Sequence, residues 1–80
     1  MRIAVLGAGS WGTTVASLLV GHHDCTIWAR DAELAREIYE RDANSRYLPG
    51  CALPSSLKAT ADLEKALHDI DLLVVGAPTH

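Results

Sequence analysis

The sequence predicts an α/β fold, the N-terminal part of a doubly wound parallel sheet with the element order βαβαβαβ, truncated after its fourth strand. A short apolar run at residues 3–6 leads directly into the glycine pattern Gly7-x-Gly9-x-x-Gly12. From Ser10 onward the apolar spacing changes from that of a strand to that of a helix. Further apolar strands then alternate with helical segments, and this alternation is typical of a parallel sheet with right-handed crossovers.

The first half of the chain has the pattern of two strands, each followed by a helix. Residues 10–20 carry apolar side chains at i, i+3 and i+4 spacing, which predicts a helix with one face against the sheet. Residues 25–28 favour a second strand. Asp31 is suited to cap a second helix over residues 32–41. The first strand, helix and strand together take roughly the 30 residues of a βαβ unit.

The second half contains a loop, a strand, a helix and a final strand. Residues 44–53 include an asparagine, a proline and a glycine, and they predict an irregular connection. Residues 57–60 predict a short third strand, and residues 61–68 a helix capped by Thr60. Residues 71–76 form a continuous apolar run that predicts a buried strand. A complete doubly wound sheet has about six strands, so residues 1–80 are expected to be one partial domain.

Composition narrows the classes of protein that fit. The 80 residues are 49% hydrophobic and carry a formal charge of -3, which gives no reason to expect a nucleic acid or membrane partner. No apolar run approaches the ~18 residues of a membrane span, and the run after Met1 is too short for a signal peptide. We therefore expect a cytoplasmic protein in which Cys25 and Cys51 are reduced thiols. The four histidines lack the spacing of a zinc site, so no metal is predicted.

The glycine pattern is the strongest candidate for a binding site. Gly7 would permit a tight turn, Gly9 would let a pyrophosphate approach the backbone, and Gly12 would let the helix pack close to the strand. The amide groups at the start of the helix, together with its dipole, would attract an anion. The alternative is a loop that only turns the chain. The surrounding strand, helix and second strand favour dinucleotide binding.

The end of the second predicted strand bears on the choice between NAD and NADP. A site for NAD places an acidic residue on the ribose about 20 residues after the glycines. Here Arg30 can bind a 2′-phosphate or stack on the adenine. The next residue, Asp31, can serve the ribose or only cap the helix. The sequence therefore allows either NADP or NAD as the cofactor.

Three more side chains are candidates for contact with the cofactor or substrate. Trp11 lies within the glycine pattern, where its ring can approach the pyrophosphate or pack across the helix start. Pro78 and His80 follow the last strand, and ligands of such sheets bind beyond the carboxyl ends of the strands. We expect Pro78 to line the cofactor cleft. His80 can approach the nicotinamide or can be an ordinary loop residue.

Several segments resemble the NAD(P)-dependent glycerol-3-phosphate dehydrogenases, in particular the bacterial type. The glycine turn alone is generic, but its combination with the Tyr-Leu-Pro-Gly segment is much more specific. The matching segments appear in the same order as in that family. They are GAGSWGT at residues 7–13, WAR at residues 28–30, NSRYLPG at residues 44–50 with LP at residues 53–54, ATADLEKA at residues 59–66 and GAPTH at residues 76–80.

The resemblance implies a Rossmann-type fold and an enzyme that reversibly reduces dihydroxyacetone phosphate to sn-glycerol 3-phosphate, a precursor of glycerophospholipids. Ser10, Trp11 and Arg30 match positions that contact the cofactor in this family, and Tyr47 is a weaker candidate. The family's catalytic lysine and helical substrate domain would lie beyond residue 80, so no catalytic residue is predicted here. The expected partner is the small-molecule substrate. A homodimer of the full-length protein is left open.

Two other functions are compatible with the sequence. A related Rossmann dehydrogenase with a different substrate would keep the same fold, although the Tyr47 segment argues against it. A non-catalytic nucleotide-binding module would explain a short chain without a recognisable proton donor.

Overall fold

The computed structural model describes residues 1–76 and has the predicted α/β architecture. Four strands form the main sheet, three helices connect or cover them, and two further strands form a separate hairpin. In chain order the elements are β1 (Arg2–Leu6), α1 (Ser10–Leu19), β2 (Asp24–Trp28), α2 (Ala32–Arg41), β3 (Ala43–Asn44), β4 (Leu48–Ala52), β5 (Lys58–Thr60), α3 (Leu63–Leu67) and β6 (Leu72–Val75).

The main sheet is parallel and has the strand order β5-β2-β1-β6. In the register, Val5 of β1 lies between Ile27 of β2 and Val74 of β6. The chain thus builds outward from β1 to β2 and β5, and then places β6 on the opposite side of β1. This reversal creates a switch point between β1 and β6, where sheets of this kind bind ligands at the carboxyl ends of the strands.

The two central strands supply several of the largest fully buried side chains. Ile3, Val5 and Ile27 are at most 1% exposed, and Ile38 of α2 packs into the same cluster. Full burial of an aliphatic side chain of this size contributes roughly 1.5–3 kcal/mol, so these residues hold β1 and β2 between the helices. Cys25 is also fully buried, and this burial raises the pKa of its thiol to about 11.

Helix caps agree with the sequence prediction at α2 but not at α3. The Asp31 side chain accepts a hydrogen bond from the Glu33 amide at 2.8 Å, as expected of an N-cap. At α3 the cap is Asp62 and not Thr60, because the Asp62 carboxylate accepts from the Glu64 amide at 3.0 Å. The Thr60 hydroxyl instead accepts from the Asp62 amide. The helix consequently begins later than predicted and is only five residues long.

The prediction of an irregular connection at residues 44–53 is wrong. Strands β3 and β4 pair in antiparallel fashion, with Ala43 opposite Ala52 and Asn44 opposite Leu48. Ala43 and Asn44 are adjacent in β3, but their partners in β4 are separated by residues 49–51. These three residues bulge out of the ladder. A bulge accommodates a proline and a glycine that a regular strand would disfavour.

Side-chain exposure differs between the two halves of the sheet. Leu72, Leu73 and Val75 of β6 are exposed, whereas the middle of the neighbouring β1 is buried. The prediction that the final strand is buried is therefore wrong for these side chains. Both cysteines are free, with Cys25 buried and Cys51 exposed on the hairpin. Within residues 1–76, none of the helices has the length and apolar character needed to cross a membrane.

Candidate cofactor-binding site

The turn between β1 and α1 has a backbone that only glycine fits at its first position. Gly7 has a φ of +109°, and a Cβ atom there would lie 2.6 Å from the carbonyl oxygen of Gly76. The Gly7 amide donates to the Trp28 carbonyl at 3.0 Å, which ties the turn to the end of β2. The turn is therefore packed against the carboxyl ends of both strands that flank β1.

Gly12 brings α1 into direct contact with this turn. A Cβ atom at Gly12 would lie 2.2 Å from the carbonyl oxygen of Gly7, a distance that no side chain could occupy without moving the backbone. A Cβ atom at Gly76 would lie 3.1 Å from the Gly12 Cα and 3.2 Å from Cε3 of Trp11. Sequence reasoning missed Gly76 as a part of this contact. Its signal was a glycine at the carboxyl end of the strand beside β1.

Gly9 differs from the other two glycines because its missing side chain faces open space. No atom of residues 1–76 lies within 4 Å of a Cβ built at Gly9. Gly9 is the N-cap of α1, but α1 has neither a side-chain cap nor an acidic residue in its first turn. The first intrahelical bond runs from the Thr13 amide to the Gly9 carbonyl at 3.0 Å. The amide groups of residues 10–12 consequently have no acceptor in the helix.

A buried asparagine connects this turn to the β3–β4 hairpin. Asn44 is 0% exposed, and its side-chain amide donates to the Ala8 carbonyl at 2.8 Å and to the Thr13 hydroxyl at 2.9 Å. Its carbonyl oxygen accepts from the Tyr47 amide at 3.2 Å. Sequence reasoning noted Asn44 only as a part of the Tyr-Leu-Pro-Gly segment. Nothing in local sequence reveals that it contacts residues far away in the chain.

The hairpin also contacts α2 through two charged groups. Arg46 forms an ion pair with Asp31 at 2.9 Å, and the Ser45 amide donates to the Glu37 carboxylate at 3.1 Å. The hydrogen bond from Arg46 is the main cause that lowers the pKa of Asp31, and the bond from the Glu33 amide adds to it. Asp31 therefore remains ionised at neutral pH.

The structure brings most of the predicted cofactor residues to one edge of the sheet. Gly7, Gly9 and Gly12 form the turn, and Ser10 and Trp11 are exposed on the first turn of α1. Arg30 is exposed just beyond the end of β2, the strand to which the glycine turn is bonded. Tyr47 is about half exposed at the hairpin that Asn44 anchors. The remaining candidates, Pro78 and His80, lie outside the described residues.

A parallel sheet with this strand order, a glycine turn and a helix start without a side-chain cap defines the class of Rossmann-type dinucleotide-binding domains. The residues present fit such a cofactor, because the open space at Gly9 adjoins amide groups that have no acceptor among residues 1–76. Within this class, the chain belongs to the family of the NAD-dependent glycerol-3-phosphate dehydrogenase N-terminus, which matches residues 2–80.

Curated relatives are similar over nearly the whole chain. The sequence is 51% identical over 80 residues to "Glycerol-3-phosphate dehydrogenase [NAD(P)+]" of Xanthomonas euvesicatoria pv. vesicatoria, covering 99% of this chain and 24% of the relative. It is 48% identical over 79 residues to the protein of the same name from Bacillus pumilus, covering 98% of this chain and 23% of the relative. The chain thus spans about a quarter of the length of the relatives that it matches.

Solved structures agree with this assignment. A glycerol-3-phosphate dehydrogenase from Coxiella burnetii has a TM-score of 0.78 and 33% identity, covering 92% of this chain and 23% of that one. The enzyme from Saccharomyces cerevisiae has a TM-score of 0.87 and 29% identity, covering 98% of this chain and 26% of that one.

Proposed function

We propose that this chain is the cofactor-binding part of an NAD(P)-dependent sn-glycerol-3-phosphate dehydrogenase that interconverts dihydroxyacetone phosphate and sn-glycerol 3-phosphate. The observation that carries the proposal is the start of α1, where amide groups without an acceptor in the described residues adjoin the open space at Gly9. An anion placed there would be stabilised by those amides and by the helix dipole. A dinucleotide supplies this anion as its pyrophosphate, and membership in the family supports the choice.

The proposed roles follow from position in the fold. Gly9 and the amides of residues 10–12 bind the pyrophosphate, while Gly7 and Gly12 keep the turn close to the sheet. Arg30, beyond the end of β2, binds the adenosine end of the cofactor. The exposed side chains of Ser10 and Trp11, together with Tyr47 on the hairpin, line the cleft around it.

The bound nicotinamide supplies or accepts the hydride, and the protein contributes binding, orientation and the exclusion of water. In this proposal residues 1–80 form a partial cofactor domain, and Pro78 lines the cofactor cleft. The catalytic residues and a helical substrate domain lie beyond residue 80. The relatives' names support glycerol 3-phosphate as the substrate. The product would serve as a precursor of glycerophospholipids in the cytoplasm.

An assay of the full-length protein tests the proposal. We expect dihydroxyacetone phosphate to cause oxidation of NADPH or NADH, measured as the loss of absorbance at the nicotinamide band. A Gly9→Asp variant provides the matched control, because its carboxylate would occupy the proposed anion site. Cofactor binding without turnover of this substrate would favour a related dehydrogenase. The absence of any cofactor binding would refute the proposal.

A further inference from the structure

Two adjacent residues at the end of β2 have opposite effects on the choice of cofactor. The guanidinium of Arg30 attracts the 2′-phosphate that distinguishes NADP from NAD. The carboxylate of Asp31 repels that phosphate and is suited to accept hydrogen bonds from the ribose hydroxyls of NAD. If Asp31 were free, the two residues would largely cancel each other in charge. The contacts of Asp31 therefore bear directly on cofactor choice.

Both oxygens of the Asp31 carboxylate are engaged within the chain. One oxygen, Oδ1, accepts from the Glu33 amide at 2.8 Å and caps α2. The other, Oδ2, accepts from the Arg46 guanidinium at 2.9 Å. Among residues 1–76, Arg30 takes part in none of the ion pairs. The ion pair thus occupies Asp31 and leaves the charge of Arg30 available to a ligand.

The position of Arg46 is determined by its neighbours on the hairpin. The side chain of the buried Asn44 holds the start of this segment, and the Ser45 amide donates to Glu37 of α2. Tyr47 follows, and its amide is bonded to Asn44. Arg46 therefore lies in the chain between anchored residues and reaches across to the start of α2. With Arg46 present, the group formed with Arg30 and Asp31 is net positive.

We propose that Arg46 is a specificity-determining residue that favours NADP over NAD by keeping the Asp31 carboxylate in an ion pair. Arg46 acts through Asp31, which it withdraws from the ribose and whose negative charge it offsets. The inference rests on the proposed function, because it assumes a dinucleotide at the glycine turn. It adds Arg46, a residue distant from Arg30 in the sequence, to the residues that determine the choice of cofactor.

The test measures dissociation constants of NADPH and NADH with the full-length protein at one fixed ionic strength. We expect the unmodified protein to bind NADPH more tightly than NADH. Arg46→Met should weaken NADPH binding roughly tenfold and leave NADH binding unchanged or tighter, because Asp31 is then available to the ribose. The matched control is Arg36→Met. Arg36 is an exposed residue of α2 that pairs with Glu40 of the same helix at 3.8 Å. This control should change neither constant.

A double variant separates an effect through Asp31 from a direct contact with the phosphate. Asp31→Asn keeps a capping side chain but removes the negative charge. We expect Arg46→Met combined with Asp31→Asn to restore NADPH binding to within about threefold of the unmodified protein. A double variant as weak as Arg46→Met alone would overturn the role assigned to Asp31.

Other outcomes separate failure of this inference from failure of the proposed function. Equal weakening of both cofactors by Arg46→Met would overturn the inference, because it would show a general effect on the hairpin. Urea unfolding of the same variant identifies such an effect independently. If the unmodified protein binds neither cofactor, the proposed function fails together with the inference. If it binds both and Arg46→Met alters neither constant, only the inference fails.

Discussion

The starts of α1 and α2 lie at the same edge of the sheet, because each helix follows one of the two paired parallel strands β1 and β2. Only the start of α2 has a side-chain cap. At α2, Asp31 caps the helix and Glu33 adds a negative charge to its first turn. At α1 the cap is Gly9, without a side-chain bond or an acidic residue. Short α3 repeats the arrangement of α2, with Asp62 as its cap.

This difference shows how the chain distinguishes a structural helix start from a binding site. Every helix start has amide groups without partners and a positive dipole end, which a nearby anion stabilises. At α2 the chain provides that anion itself. At α1 residues 1–76 provide none and also leave open space, although a capping side chain in place of glycine would contribute roughly a few tenths of a kcal/mol. The missing anion is the one that we assign to the cofactor.

Gly12→Ala should have the largest effect, because it would separate the start of α1 from the turn. The added Cβ would meet the Gly7 carbonyl at 2.2 Å, and that backbone oxygen cannot move away cheaply. We expect a loss of about 1–3 kcal/mol in the free energy of unfolding and a loss of cofactor affinity of roughly a hundredfold. Urea unfolding and cofactor titration measure the two effects. Unchanged stability would contradict the packing described for Gly12.

Gly9→Asp would give α1 the same cap as α2 and therefore tests the comparison directly. Nothing in the described part of the chain lies within 4 Å of the new Cβ, so the fold should accept the side chain. The cap should stabilise the protein by roughly a few tenths of a kcal/mol, because glycine is itself a tolerated N-cap residue. Cofactor affinity should fall at least about tenfold, since the carboxylate takes the place of the pyrophosphate and repels it. Gly9→Ala is the control for bulk without charge. If Gly9→Asp binds the cofactor with unchanged affinity, the pyrophosphate does not bind at the start of α1.

Asn44→Ala should weaken the connection between the two helix starts. It removes the donors to the Ala8 carbonyl and the Thr13 hydroxyl, which keep only the bond that the hydroxyl donates to that carbonyl at 3.3 Å. The expected loss is about 1–3 kcal/mol in the free energy of unfolding, with a smaller loss of cofactor affinity than for Gly12→Ala. A Ser55→Ala variant, at an exposed loop position, is the control for stability. Wild-type stability of Asn44→Ala would argue against this connection.

The smallest effect should appear at acid pH, where only the capped helix start has a group that titrates. Asp31 has a folded-state pKa below its ordinary value of 3.8, because Arg46 and the Glu33 amide favour the ionised form. Its contribution is therefore present at neutral pH and is lost as pH falls through the lowered pKa. Asp31→Asn should reduce the decrease in stability below about pH 4. Unfolding curves of both proteins at several pH values would measure this difference. Identical pH profiles for Asp31→Asn and the unmodified protein would count against the ion pair.

Much of the fold follows from local signals. The apolar run before Gly7, the helical spacing after Ser10 and the capping residue Asp31 are each visible within a few neighbouring residues. These signals predicted all four strands of the main sheet and its three helices, with errors of a few residues at their ends. The start of α3 was misplaced because Thr60 and Asp62 are both suitable caps, and the stronger acceptor Asp62 takes the role.

The hairpin marks the limit of such reasoning. Pro49 and Gly50 favour irregular structure locally, yet β3 and β4 pair because the bulge takes these residues out of the ladder. The contact of Asn44 with Ala8 and the ion pair between Arg46 and Asp31 join segments that are distant in sequence. Hydrophobic periodicity indicates which face of an element is buried, but it does not indicate which polar side chains meet.

The sequence by itself determined the class of fold, the position of the glycine turn and the candidates for cofactor contact, because these depend on backbone freedom and on apolar spacing. Only the tertiary structure decided that Gly76 closes the turn, that Asn44 anchors the hairpin to it, and that Asp31 is paired with Arg46. The physical reason is that such contacts arise when separate elements pack together. Their energies depend on distances and burial that no local pattern contains.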